Sequence, residues 1–291
     1  MSKASLSSSL FTISDVALGS VGKSIPPSLV VDKSVKYFST WGGSDKLLMT
    51  VQYAAKLIVP ILIKRAELQH GTGLRAKAYS PTAEGLTKFA ASISATRRVS
   101  GLWGILSIIK WLSALERTPV TSTAPAARVS RTLERLQAIS MLAFYSLESI
   151  SFFSSPAAPI LPPTLVTPSM SAKAGLWSVR AWGLYTAIQL WNLSAKWKEA
   201  SAKEASLTRE LKSASASEKG DEGTVELGTK DKLEEVKKEK WATLLSLVEN
   251  GAFAPLIIHW SVRELFSSDL PVNLLSMVAA IAGFQNGWDK L

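Results

Sequence analysis

The fold class this sequence predicts is all-α: a bundle of long amphipathic and apolar helices, associated with a membrane and ending in a transmembrane helix candidate. Three observations predict it. Hydrophobic residues fill 47% of the 291 positions and charged residues only 19%, where an ordinary soluble domain carries about 25% charge. Ten tryptophans accompany a positive mean hydropathy. Apolar residues also recur at spacings of three and four in segment after segment, which is the period of a helix and not of a strand.

Residues 1–29 are rich in Ser, close on Pro26 and Pro27, and read as a flexible extension. From residue 30 to 291 the chain reads as one helical membrane domain. Its first helix is expected at Val30–Phe38. In "STWGGSDK", Gly42 and Gly43 punctuate, and Ser44 with Asp45 can cap the helix that follows. That helix, "DKLLMTVQYAAKLIVPILIK", carries only Lys56 as a charge between Leu47 and Ile63. A run of that length rises roughly 25 Å against a hydrocarbon core of about 30 Å, so it fits a buried core, a span or an interfacial helix. Pro60 cannot return a hydrogen bond to Lys56, which predicts a bend.

Residues 83–115 form a second amphiphilic unit. Leu86, Phe89, Ala90 and Ile93 share a face, Lys88, Ser92 and Arg98 lie away from its centre, and Arg97 sits at its edge, where a long side chain can snorkel to phosphate. Beyond Gly101, "LWGILSIIKWLSAL" is almost wholly apolar. After a polar break, residues 128–153 place Val129, Leu133, Leu136, Ile139, Leu142 and Leu147 in a stripe behind the basic turn of Arg128, Arg131 and Arg135. Such a stripe packs on other helices or faces lipid, and the pattern serves both.

Five prolines make 156–168 a linker. The next helix carries Trp177, Trp182, Trp191 and Trp197, the residue type that collects at membrane interfaces, with Arg180 as an intruding charge. Residues 192–240 hold eleven basic and eleven acidic side chains; they read as solvated helix around a charged, partly disordered loop at 200–235. "WATLLSLVENGAFAPLIIHW" is interrupted by Glu249, Asn250, Pro255 and His259 and reads as a buried helical pair. Leu270–Phe284 has no charge and reads as the membrane anchor. Ala279, Gly283 and Gly287 follow one another at spacings of four, a small-residue ridge suited to close helix packing and a candidate dimer face.

Chemistry is constrained by what is missing. With no cysteine and only His70 and His259, thiolate chemistry, disulfides and histidine-rich metal centres drop out. No phosphate-binding glycine loop, zinc helix motif or nucleophile elbow occurs, so the chain reads as non-enzymatic, with no cofactor. The terminal "DKL" has Asp289 where a peroxisomal import tripeptide has a small residue, and "MSKASLSSSL" lacks the apolar core of a secretory signal. The formal charge is +10, and residues 31–150 hold sixteen Lys or Arg against seven Asp or Glu. That excess lies among Trp, Leu and Ile, which points to anionic lipid and not to nucleic acid.

"VDKSVKYFSTWGGSDKLLMTVQYAAKLI", then "RRVSGLWGILSIIKWL" and "RTLERLQAISMLAFYSLESI", resemble the peroxin eleven family of peroxisomal membrane proteins, in a form like those of filamentous fungi. Lys36, Tyr37, Asp45, Lys46, Gln52, Tyr53 and Lys56 stand in that family's characteristic order. The resemblance implies a peroxisomal membrane location with cytosolic termini and homo-oligomers. It also implies an amphipathic helix that bends and elongates the organelle, and division by dynamin-related machinery. The remodelling helix then corresponds to part of 83–100, with Leu86, Phe89 and Ile93 inserted and Lys88, Arg97 and Arg98 holding lipid. The resemblance also implies a pore-like role for small metabolites in some members. In that alternative Arg180, Glu249, Asn250 and His259 line a channel; a third reading is a soluble helical adaptor with a tryptophan core.

Overall fold

The computed structural model describes residues 28–119, 125–214, 223–262 and 264–291, with Val16 and Gly19 as isolated helical positions. Most of the Ser-rich extension and the centre of the charged loop therefore lie outside the described residues. Among the described residues run seven helices: α1 Leu29–Phe38, α2 Trp41–Gly71, α3 Pro81–Arg117, α4 Pro125–Phe153, α5 Pro168–Ala214, α6 Gly223–Ser261 and α7 Asp269–Asp289. The fold is an all-α bundle, and no strand occurs among the described residues.

Helix boundaries follow from caps and prolines. Ser28 caps α1 and Ser80 caps α3, each accepting a hydrogen bond from a first-turn N–H, with Pro81 opening α3 where no N–H is needed. The start of α2 departs from expectation. Thr40 is the cap, its Oγ1 accepting from Gly43 N–H at 3.0 Å, so Gly42, Gly43, Ser44 and Asp45 are all helical. A Cβ on Gly43 would run into the Tyr37 carbonyl, so glycine is what lets α2 begin directly beneath the end of α1. Asp45, released from capping, is available for a tertiary partner.

Two further expectations change. Residues 241–260 are one continuous stretch of α6 and not a pair: Asn250 Nδ2 donates to Ser246 O at 2.8 Å, and Pro255 lies within the helix. The charged region is also more helical than its composition implies, since α5 continues to Ala214 and α6 starts at Gly223. The proline linker folds back tightly, with the N–H groups of Ile160 and Leu161 both donating to Phe153 O, at 2.9 and 2.8 Å.

Packing runs around a circle. Each helix from α2 to α7 lies against the next in sequence, and α7 returns to α2, closing a ring of six. The buried seam of that closure is small: Met49 and Tyr53 of α2 meet Ala279 and Ala280 of α7 and Ala252 of α6. The α1 helix sits at one end, its Tyr37 edge-on to Phe284 and Trp288 and donating to Phe284 O at 3.1 Å.

Candidate functional site

The ring has an apolar outside, and its buried side mixes apolar residues such as Ile188, Leu193 and Leu256 with polar ones. On α4, Val129, Leu136 and Ile139 point outward while Gln137, Ser140 and Ala138 are buried. On α5, Trp177, Leu184 and Trp191 are outward and Ser178 and Thr186 buried; on α7, Leu274, Val278 and Ile281 are outward and Ser276 and Asn286 buried. A water-soluble helix arranges these the other way round, and polar groups turned toward a bundle interior are what helices in lipid show. Among the described residues, four helices are long and apolar enough to cross a membrane: α2, α3, residues 127–153 of α4 and residues 228–261 of α6. Only 22%, 17%, 22% and 33% of their apolar windows are buried within the chain, so most of that surface is left for another apolar medium. The carboxy-terminal α7 is apolar too, but the four helices of spanning length and hydropathy are the others.

Inside the ring is a cavity of about 760 Å³ to which all six helices contribute. A charge network crosses it. Arg97 of α3 donates to both carboxylate oxygens of Asp45 on α2, at 2.8 and 3.2 Å, and to Gln52 Oε1 at 3.0 Å. The neighbouring Lys46 pairs with Glu249 of α6. Consecutive residues of α2 thus clasp helices on two sides. The Gln137 side chain donates to Gln189 at 2.7 Å, and Asn286 donates to Ser246 at 2.9 Å, joining α4 to α5 and α7 to α6.

A family model for peroxisomal biogenesis factor 11 (PEX11) matches residues 31–288, which takes in the whole ring and nearly all of α1. The chain belongs to the PEX11 family. No curated protein and no solved structure matches it.

In this PEX11 chain the stripe at 83–100 divides. Phe89 is half exposed at 51%, whereas Ile93 is buried at 6% and Leu86 is intermediate. The two lie only about 40° apart around α3, yet the chain's own packing covers Ile93, in line with Ala83 and Ala90, and leaves Phe89 outside. Lys88 stays outside, paired with Glu84 at 2.6 Å, and Arg98 lies over the Phe152 ring at 5.6 Å. Arg97 is the correction to the snorkelling expectation: three acceptors on α2 hold its guanidinium inside, where Asp45 would otherwise be a half-buried, unpaired charge.

The small-residue ridge of α7 is used within the chain. Ala279 is fully buried, a Cβ on Gly283 would come within 2.8 Å of Lys46 and 2.7 Å of Glu249, and one on Gly287 would meet the Tyr37 ring at 2.7 Å. As a dimer face this ridge is already occupied. Of the four residues expected in a channel, Glu249 and Asn250 line the cavity. Arg180 instead stacks on Trp177 at 4.9 Å, and His259 Nδ1 accepts the N–H groups of Leu265 and Phe266, at 2.9 and 3.3 Å, holding the turn after α6. Sequence reading missed the clasp at Asp45 and Lys46 and the inward roles of Ser276 and Asn286. The available signal was polar residues inside otherwise apolar helices.

Proposed function

We propose that this chain is a non-enzymatic protein of the peroxisomal membrane, its termini on the cytosolic side, that promotes curvature, elongation and division of the organelle. Family membership supports the organelle, and the particular sequence blocks support a form like those of filamentous fungi. The observation that carries the membrane-shaping reading is the ring's outward apolar surface combined with the short amphipathic α1 beside it. Phe89 and Val99 on α3 are outward. Val30, Val31 and Val35 on α1 are exposed as well, and Lys33 reaches back over the Trp288 ring at 4.9 Å. Apolar groups set shallowly into one leaflet add area there without equal volume in the other, and many copies add their effects. Anionic lipid, further copies of the chain and dynamin-related machinery are the partners this mechanism calls for.

The test is peroxisome length and number in cells expressing Val31→Asp, Val35→Asp and Phe89→Asp together, with buried Ile93 left intact. Correct localisation with lost elongation is expected; normal elongation by the correctly placed variant sinks the mechanism.

The polar cavity favours a second reading, a passage for small metabolites. Conductance of the purified chain in planar bilayers that changes with Glu249→Gln but not with Arg180→Ala supports it, since only Glu249 lines the cavity. Silent bilayers containing verified protein argue against it.

A further inference from the structure

The cavity has two unlike walls. From α2 and α3 come Lys46, Lys56, Arg97 and Arg98; from α4, α5 and α6 comes a continuous aromatic surface. In that surface the Trp182 ring lies 5.7 Å from Phe144, 4.8 Å from Phe253 and 6.4 Å from Trp260, the last stacked at 23°. The lining as a whole is cationic, with five Lys or Arg side chains against three carboxylates. Asp45 and Glu249 are committed to Arg97 and Lys46, and the third carboxylate, Glu148, interacts with Arg98 and Arg97. Lys56 makes no ion pair among the described residues and lies 5.2 Å over the Tyr53 ring.

The volume of about 760 Å³ lies within the range of small-molecule sites, roughly 300–1,000 Å³.

We propose that the lumen binds a small planar organic anion, its ring system against Trp182 and Phe253 and its anionic group toward Lys56 and Arg98. An aliphatic anion wastes the aromatic wall, and a neutral aromatic leaves Lys56 without a counter-charge. The inference concerns occupancy and stands whether or not solute crosses the ring, so binding and conductance fail separately.

Calorimetry on the full chain in neutral phosphatidylcholine nanodiscs tests it, using adenosine monophosphate as planar anion, adipate as aliphatic anion and adenosine as neutral planar probe. Adenosine monophosphate is expected to bind at least about tenfold more tightly than either of the others, and Lys56→Gln to weaken it about tenfold while leaving adenosine unchanged. Arg98→Gln serves the same purpose should Lys56→Gln fail to assemble, and Arg180→Gln, outside the lumen, is expected to change nothing. Equal affinity for adipate or adenosine, no binding at millimolar concentration, or indifference to both lumen substitutions overturns the proposal.

Discussion

The α5 helix is one continuous rod that follows two opposite rules. In the ring it turns Ser178 and Thr186 inward and leaves Trp177, Leu184 and Trp191 outside. A few turns later, where it pairs with the first half of α6 beyond the ring, it buries Ala200 and exposes Glu199 and Lys203, which pair with one another at 2.8 Å. Lys240 of α6 bridges to Glu204 at 2.7 Å and covers the Trp197 ring at 4.8 Å. The helix backbone is the same in both halves. What changes is the outward face, which passes from Trp and Leu to Glu and Lys near Trp197.

The largest effect should come from breaking the ring where it holds charge. Arg97→Leu leaves Asp45 largely buried without its partner, a loss of about 3–5 kcal/mol, and thermal unfolding in detergent should show it as a lowered midpoint. Adding Asp45→Leu should restore most of the loss. An unchanged midpoint in the single variant would mean the clasp does not hold α2 to α3.

A smaller effect distinguishes the two outsides. Ile139→Arg places a charge on the ring's outward face and should cost about 2.5–3.5 kcal/mol of membrane insertion if that face meets lipid. Glu199→Arg, on the arm, should cost nothing measurable. Carbonate extraction compares them directly, and equal retention of both variants would remove the distinction between ring and arm.

The smallest effect belongs to the arm alone. The hydrogen bond from Lys240 holds the Glu204 carboxyl below its ordinary range. Its contribution is therefore present above the unfolded-state value and fades as pH falls through the lower, folded one. Hydrogen exchange at 200–207, corrected for its intrinsic pH dependence, should quicken over that acidic interval, and Lys240→Gln should abolish the step. The pair is half-buried and lies on the arm, away from the ring, so ring stability should not follow it.

The sequence by itself determined that the chain is helical and nearly where each helix lies, because period, caps and prolines are local. Val30 was placed one residue from the observed start of α1, and Phe38 and Phe153 ended their helices as expected. It also determined the family, through the order of residues from Lys36 to Lys56, and a composition suited to a membrane. Tertiary structure alone decided which way the faces point. The stripe through Val129, Leu136 and Ile139 has the same period whether it packs inward or meets lipid, and only the ring turned it out and Gln137 in. Arg97 likewise had two destinations, phosphate or carboxylate. The choice depended on Asp45 and Gln52, some fifty residues away in sequence and about 3 Å away in space. Gly283 and Ala279 could have met a second chain; α7 closing against α2 used them first. Periodicity records that a helix has two sides, and the partner each side meets is set by long-range contacts that no local pattern encodes.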